Sequence, residues 1–510
     1  MTRKNLSFAG LLIFLEGYCV LSLEILGTRL LGPAFGASIN LWAALIAVTL
    51  LSLSLGYCLG GRLADRYKQR EILIIIVWLS AVWTLVIPFI KKDTVETLSF
   101  LGLKWDMLLS SALLFTFPLT MLGMVTPFIL RMCVENLSTI GHIAGRLYAT
   151  STVASVFAAI LTGFFFIPIF GTFNVTMSLV LVLTLMSLLT AYIYCGHVQG
   201  LPLAINVPLI LLAIGLIVSN KPNYDKSLLE VHQSQYGEIR VIDLDWGKFL
   251  VIEGEIHSVI GKYTDHTTYV YPILLQTAKD FFDTPGEGLV IGLGAGTTIK
   301  PFVDANWRMT AAEINPVVID MAYKHFGLNI PRSKTHTVDG RRFLHETDNS
   351  FDFIAFDAYG GSGIPFHLIT QEVFNLAKQR LNKNGTLGLN VIGDGWDSLL
   401  VHSVLKTLEL VFTHVIALPA SENSASIQNF IVFASDSEIT PKLQNFLRKE
   451  SNENIFFHAT IAKSFKNIFT SKPHGIILTD NHNPADLWGD EINFKIRSTK
   501  NHTVDPSLLW

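Results

Sequence analysis

The sequence predicts a protein in two parts: a multi-pass α-helical membrane bundle over residues 1–220, and an α/β nucleotide-binding domain over residues 286–510. A small β-subdomain over residues 221–285 is predicted between them. Two observations carry this prediction. The first 220 residues hold long apolar runs with few charges, so that only 15% of the whole chain is charged, against about 25% in a typical soluble domain. The remaining residues have a soluble composition and contain a glycine-rich turn.

Apolar segments long enough to cross a membrane recur along the first part. A transmembrane helix needs about 20 apolar residues. The segments that meet this requirement are 8–31, 40–60, 72–90, 107–131, 147–170, 172–194 and 201–219. The first of them is too long and too acidic for a cleaved signal peptide. We therefore expect about seven transmembrane helices.

Two acids within the first span, Glu16 and Glu24, need an explanation. A carboxylate in the middle of a bilayer is costly unless a partner or water faces it. The pair indicates either a polar functional site inside the bundle or hydrogen bonds and ion pairs that hold the helices together. The cysteines all lie in this half, without the spacing of a metal site, and we expect no metal. They are Cys19, Cys58, Cys133 and Cys195.

A change of hydrophobic period marks the second part. Strand-like runs at 238–242 and 249–254 predict the small antiparallel β-subdomain. A β-α-β unit follows, with strands at 289–291 and 309–313 and helices at 297–304 and 316–326. This order predicts a Rossmann-like fold.

The loops of this unit carry the candidate ligand-binding residues. Gly292, Gly294 and Gly296 allow the backbone to turn sharply and approach a ligand. The start of the following helix would offer free N–H groups. Glu313, which ends the second strand and precedes Ile314, can accept hydrogen bonds from two ribose hydroxyls.

Two further acids follow strand-like segments. Asp339, before Gly340, can accept a hydrogen bond from an adenine amino group, or it can cap a helix. Asp357 ends an apolar strand and should point into the ligand crevice. The glycine-rich loop over 358–365 behind it is a candidate lid.

Taken in order, these motifs resemble the spermidine synthase family, and the small β-subdomain does so too. The whole chain resembles the membrane-fused branch of that family. The features shared with that branch are Glu24, residues 29–31, the Gly-Arg-Leu-Ala-Asp-Arg loop at 61–66, and residues 478–484.

The resemblance implies a class I methyltransferase/spermidine synthase-like domain that transfers an aminopropyl group from decarboxylated S-adenosylmethionine to an amine. Glu313 would hold the ribose and Asp339 the adenine. Asp357 would help to deprotonate and orient the attacking amine. Asp265 and Tyr269 match the family's acid-to-tyrosine spacing, so Tyr269 would line the substrate pocket.

The sequence also departs from the family at three positions. Ala295 stands where soluble members carry the aspartate that grips the donor ammonium. Val270 replaces a histidine or glutamine, and Gly360 stands near the place of a second acid. Because a polyamine normally needs several carboxylates, these changes suggest another acceptor or a donor that keeps its carboxylate.

Three functions therefore stay open. The chain is an aminopropyltransferase, an S-adenosylmethionine-dependent methyltransferase with a lipid-phase acceptor, or a transporter whose soluble domain senses a nucleoside or polyamine. The transporter is suggested by the loop from Gly60 to Arg66, which resembles the short loop motif of major-facilitator transporters. The net charge of −3 indicates no nucleic-acid partner. A homodimer is a further expectation.

The side of the membrane that holds the soluble domain is ambiguous. Basic residues mark one face of the predicted bundle as cytoplasmic, by the positive-inside rule. They are Arg3, Lys4, Arg62, Arg66, Lys68, Arg70, Arg131 and Arg146, against Lys91, Lys92 and Lys104 on the other face. An odd number of helices then puts the soluble domain outside the cytoplasm. A donor made in the cytoplasm argues for the cytoplasmic side of the inner membrane, which we expect. Either one span is then miscounted, or a re-entrant segment lies within 8–36 or 107–133.

Overall fold

The chain folds into two compact units in a computed structural model. The structure describes residues 3–36, 38–67, 71–134, 140–195, 200–220, 227–262, 267–360, 363–440, 442 and 455–498. The first unit consists of Met1–Asn223 with Gln233–Gly237, and the second of Tyr224–His232 with Glu238–Trp510. Lys68 and Arg70 lie outside the described residues.

The first unit is a bundle of apolar helices. Its helices are α1 (Arg3–Phe35), α2 (Ile39–Arg66), α3 (Glu71–Leu98), α4 (Leu103–Cys133), α5 (Ile140–Ala158), α6 (Ile167–Cys195) and α7 (Leu201–Ser219). A π-helical segment, Ala159–Phe166, joins α5 to α6. Within the described residues, six continuous helical segments are long and apolar enough to cross a membrane.

One of these six segments is long enough to cross twice. Ile140–Ile193 contains 54 residues, which at 1.5 Å per residue is about 80 Å, more than twice the hydrocarbon thickness. It breaks at Gly171, whose φ of 78° and ψ of 160° are not helical. After the break, Phe173 packs on Phe89 and Ser187 hydrogen-bonds to the carbonyl of Ile74, so α6 runs antiparallel to α3.

Small residues bring α2 and α4 into backbone contact. A side chain at Gly56 would lie 2.8 Å from the Cα of Gly123, and one at Gly60 would lie 2.6 Å from the Cα of Met124. This is the small-xxx-small packing by which helices approach closely where no hydrophobic effect drives them together. The predicted loop from Gly60 to Arg66 is wrong, because these residues form the helical end of α2. At this end, Asp65 forms an ion pair with Arg131 of α4 at 3.1 Å.

Hydroxyl groups on neighbouring helices face the two acids of α1. Glu16 is 2% exposed and accepts a hydrogen bond from Ser151 of α5 at 3.2 Å. Glu24 is half-buried and bonds to Thr49 of α2. Both carboxyls therefore take part in contacts between helices. This agrees with the prediction that they help to hold the helices together.

The second unit contains two sheets, except that the end of the first strand and the start of the second, within Gln233–Gly237, belong to the first unit. Its strands are β1 (Leu228–Ser234), β2 (Gly237–Asp243), β3 (Gly247–Ile252), β4 (Glu255–Gly261), β5 (Glu287–Ile291), β6 (Arg308–Glu313), β7 (Thr335–Thr337), β8 (Phe351–Phe356), β9 (Leu381–Gly393), β10 (His414–Pro419) and β11 (Gln428–Ser435). The first four form a sheet in sequence order. The other seven form a sheet in the order β10-β11-β9-β8-β5-β6-β7, in which only β11 runs antiparallel to its neighbours.

Helices cover both faces of the larger sheet. They are α8 (Val270–Leu275), α9 (Lys300–Asp304), α10 (Pro316–His325), α11 (Gly340–Glu346), α12 (Gln371–Gln379), α13 (Leu399–Glu409), α14 (Ile455–Lys466) and α15 (Ala485–Ser498). One buried cluster joins α11, α12 and α13 to the sheet, and another joins α8, α9, α10 and α14 to its opposite face. The predicted Rossmann-like fold, with a preceding β-subdomain, is confirmed.

The packing of α2 on α4 gives a testable contrast between two glycines of one helix. We expect Gly56→Ala to lower the stability of the bundle by about 1–3 kcal/mol, the usual cost of overpacking, because its methyl group would meet the backbone of α4. Gly61→Ala should be neutral or slightly stabilising, because a side chain there meets nothing within 4 Å. Thermal unfolding of both purified variants in detergent would check this; equal melting temperatures would contradict the proposed contact.

Candidate active site

Strand order places the candidate site at the carboxyl edge of β5 and β8. These parallel neighbours are the point at which the sheet order reverses, where α/β folds bind their ligands. Gly292 follows β5, and Asp357 follows β8, with the Asp357 N–H bonded to the carbonyl of Ile291 at 2.8 Å. A side chain at Gly292 would lie 2.5 Å from the carbonyl oxygen of Asp357. Glycine is therefore required for the two strand ends to approach this closely.

The carboxylate of Glu313 organises the glycine-rich turn. One of its oxygens accepts the N–H of Leu293 and the other the N–H of Asn315, both at 2.9 Å. Burial raises the pKa of Glu313, and the backbone N–H groups of Asn315, Leu293, Gly294 and Ile314 oppose that rise. Glu313, which is predicted to hold a ribose, thus also fixes the backbone of the glycine-rich turn.

The predicted helix at 297–304 is wrong at its beginning, because α9 starts only at Lys300. The residues before it form tight turns, in which Lys300 and Ile299 donate to the carbonyl of Gly296. Ala295 donates to the hydroxyl of Ser258 in β4 at 3.1 Å. These N–H groups are already used within the protein, so the sequence-based expectation of a free helix start is not met.

Asp339 caps helix α11, which is one of the two roles predicted for it from the sequence. One oxygen accepts the N–H of Arg342 at the start of α11 at 3.0 Å. The other lies 2.8 Å from Nε2 of His367. This hydrogen bond is the largest cause of a pKa below the usual range for Asp339. Gly340 packs so tightly that a side chain there would overlap Ile291 of β5.

Asp357 has a hydrogen-bond donor on each oxygen. Thr298 donates at 2.7 Å and the amide of Asn390, in β9, at 3.0 Å. Burial raises the pKa of Asp357 to about 6, and the two hydrogen bonds limit that rise. The residue keeps some exposure. It is therefore ionised at neutral pH, accessible, and close to the pKa that suits a general base.

Two tyrosine side chains, Tyr271 and Tyr359, lie near this carboxylate, and a third stacks on the first of them. Tyr269, at the cap of α8, stacks on Tyr271 with ring centroids 6.0 Å apart, and burial raises its pKa to about 12. Burial, and after it the charge of Asp357, holds the pKa of both Tyr271 and Tyr359 well above the ordinary value. The Tyr359 hydroxyl donates to the carbonyl of Asn390 at 3.0 Å. Tyrosine faces beside a carboxylate favour a cationic ligand.

The three departures from the family lie on these same elements. Ala295 is 1% exposed and packs in an apolar cluster with Ile239 and Val318. Val270 packs against a different apolar cluster, and Gly360 is exposed. Asp265, His266, Gly361 and Ser362 lie outside the described residues.

The structure brings most of the predicted site residues together at one edge of the sheet. Gly292, Gly294 and Gly296 have positive φ, and the exposed Ile314 follows Glu313 on the neighbouring strand. Sequence reasoning missed residues that surround Asp357, namely Tyr271, Thr298, Tyr359 and Asn390. Tyr271 and Tyr359 each stand two residues from a predicted site residue, and Asn390 is the polar residue within the apolar run 387–393, which are signals that could have found these three residues.

Together, the fold and the site define a Rossmann-like α/β domain with a carboxylate at the carboxyl edge of its parallel strands. The chain is 26% identical over 253 residues to a probable polyamine aminopropyl transferase of Bifidobacterium longum, across 46% of this chain and 55% of that one. It is 28% identical over 182 residues to an N-terminal histidine N-methyltransferase of Emericella nidulans, across 33% and 32%. A probable spermidine synthase structure from Corynebacterium glutamicum is 22% identical, with a TM-score of 0.39, across 43% and 85%.

No protein-family model matches the chain. The matched stretch spans about half the length of the Bifidobacterium relative. These homologues confirm the resemblance predicted from the sequence: the chain is related over part of its length to polyamine aminopropyltransferases and a spermidine synthase.

Removing the Glu313 carboxylate should weaken nucleoside binding. We expect Glu313→Ala to cost about 1.5–3 kcal/mol of affinity for methylthioadenosine, because it removes a charged acceptor of hydrogen bonds and also releases the N–H of Leu293. Glu438→Ala, at an exposed position, is the matched control. Calorimetric titration checks both variants, and an unchanged affinity in a folded Glu313→Ala protein would remove this residue from the site.

Proposed function

We propose that the protein is an aminopropyltransferase, which moves the aminopropyl group of decarboxylated S-adenosylmethionine to an amine acceptor at the membrane. The observation that carries the proposal is the position of Asp357, an ionised carboxylate held by Thr298 and Asn390 among tyrosine rings. Its relatives named as aminopropyltransferases support the same reaction class.

The reaction needs a base and a pocket that binds a cation. The two lie next to each other. An amine arrives as an ammonium ion, which the Asp357 carboxylate and the rings of Tyr269 and Tyr271 attract. Asp357 then accepts a proton and leaves a lone pair on nitrogen. That nitrogen attacks the donor carbon beside the sulfonium; the new C–N bond forms as the C–S bond breaks, and neutral methylthioadenosine leaves with the sulfur electron pair.

A methyltransferase is the second candidate, and one observation favours it. The alanine at position 295 lies in an apolar cluster, so this turn supplies no carboxylate for the ammonium of a decarboxylated donor. With S-adenosylmethionine as donor, the acceptor would attack the methyl carbon and release S-adenosylhomocysteine.

A product assay separates the candidates. Purified protein incubated with each donor and a set of amines should release methylthioadenosine if the first proposal holds. Release of S-adenosylhomocysteine would replace it with the methyltransferase. Nucleoside binding without either product would favour a transporter with a sensing domain.

Asp357 gives the sharpest single test of the reaction. Asp357→Asn keeps the shape but removes the base, so turnover should fall roughly 10²–10⁴-fold, the range for loss of a general base, with donor affinity unchanged. The wild-type rate should also fall as pH drops through about 6, because protonation of Asp357 then removes the base. Asp304→Asn, at an exposed position, is the control. Full turnover of Asp357→Asn would contradict the proposed role, and a methyltransferase that needs only proximity would tolerate the change.

For the membrane unit, we propose seven crossings. The antiparallel run of α6 beyond Gly171 supports this count. Because α1 begins and α7 ends at opposite faces, the chain after Asn220 would emerge opposite the face that carries Arg62 and Arg131, and thus outside the cytoplasm by the positive-inside rule. This differs from the cytoplasmic location expected from the donor.

Cysteine labelling distinguishes the two locations. The sequence has no cysteine after Cys195, so Glu438→Cys in a variant without the natural cysteines provides a single thiol in the second unit. A membrane-impermeant maleimide should label it in intact cells if seven crossings hold. Labelling only after cell lysis would place the domain in the cytoplasm and remove one crossing.

A further inference from the structure

A histidine outside the predicted site makes a direct contact with the predicted adenine acceptor. Nε2 of His367 lies 2.8 Å from one oxygen of Asp339, while the other oxygen accepts the N–H of Arg342. The side chains of His367 and Asp339 are 35% and 29% exposed, so the pair lies at an accessible edge. A ligand that reaches Asp339 therefore meets a carboxylate whose direction is already fixed.

The turn that carries His367 is held in place by a segment late in the second unit, near Asn483. Phe366–Leu368 is a single 3₁₀ turn, and Leu368 is 4% exposed. The side-chain amide of Asn483 donates to the carbonyl of Phe366 at 2.8 Å. These contacts fix the backbone beside His367 and so limit where its ring can lie.

A second ion pair ties the same late segment to the helix that Asp339 caps. Arg341, at the start of α11, binds both oxygens of Asp480, at 2.8 and 2.6 Å. The N–H of Asp480 in turn donates to Glu372 of α12. A bidentate pair of this kind adds geometric specificity as well as energy. Residues 478–484 therefore support both sides of the His367–Asp339 hydrogen bond. Asn483 bonds to the turn that carries His367, and Asp480 bonds to the helix that Asp339 caps.

We infer that His367 is a positioning residue for nucleoside binding, acting by orienting the Asp339 carboxylate toward the amino group of adenine. The inference rests on the proposed function, because it assigns adenine to Asp339. A carboxylate oxygen has two lone pairs. One accepts the His367 N–H, and the other is left to accept a hydrogen bond from the exocyclic amino group of the donor.

His367 also links the two acids of the site along the chain. It follows Asp357 by ten residues, on the loop that leaves the catalytic carboxylate. His367 lies in the turn Phe366–Leu368, which follows the segment 358–365 predicted as a candidate lid. The contact between His367 and Asp339 therefore makes the proposed adenine site depend on how this turn is held.

The test compares nucleosides that differ at one group. We expect His367→Ala to weaken methylthioadenosine binding about tenfold, as expected for a lost hydrogen bond to a charged group, and to leave binding of the analogue without the 6-amino group unchanged. His367→Gln, which keeps an N–H donor, should restore most of the affinity. His345→Ala, an exposed histidine of α11, is the matched control. Calorimetric titration of full-length protein gives each affinity.

A double variant separates positioning from a general structural role. In an Asp339→Asn background, His367→Ala should cause no further loss, because the residue acts through that carboxylate. Equal losses for both nucleosides, or additive losses in the double variant, would overturn the inference. If Asp339→Asn itself leaves methylthioadenosine binding unchanged, the adenine assignment of the proposed function fails. If Asp339→Asn weakens binding and His367→Ala does not, only the role of His367 fails.

Discussion

The buried carboxylate of Glu313 is the constraint on which the second unit's binding edge depends. It ends β6 and receives N–H groups from the turn after β5 and from the start of α10. A buried carboxyl is tolerated only when hydrogen bonds replace water, and here the backbone of the glycine-rich turn supplies them. The shape of the turn and the burial of the acid therefore support each other. Any ligand that binds Glu313 enters a network that already exists without it.

From that anchor, the site extends across neighbouring strand ends. Gly292 lets β5 approach β8, and this approach puts Asp357 beside Thr298. Asn390 of β9 completes the pair of donors to Asp357. The position of the proposed base thus depends on three adjacent parallel strands, β5, β8 and β9. Its tyrosine neighbours come from elsewhere, namely the segments around α8 and after β8.

The sequence was sufficient for the parts of the structure that follow from local pattern. Apolar length predicted the long apolar helices of the first unit, and the switch from a helical to a strand period predicted the β-α-β unit. It failed at the start of α9, where tight turns after Gly296 compete successfully with the helix. It also missed Asn390 and His367, because each is brought to the site by strand order or by a distant segment. No local pattern encodes a contact such as that between Phe366 and Asn483, which are far apart in the chain.

The non-helical break at Gly171 has an energetic consequence for the proposed reaction. With seven crossings, a decarboxylated donor would be used on the outer face, and this donor carries two positive charges, a sulfonium and an ammonium. Moving one charge against an inside-negative potential of 100 mV costs about 2.3 kcal/mol. Two charges therefore lower the equilibrium concentration of the donor outside roughly 10³-fold relative to the cytosol. With seven crossings, the membrane voltage would therefore help to set the concentration of donor that reaches the domain.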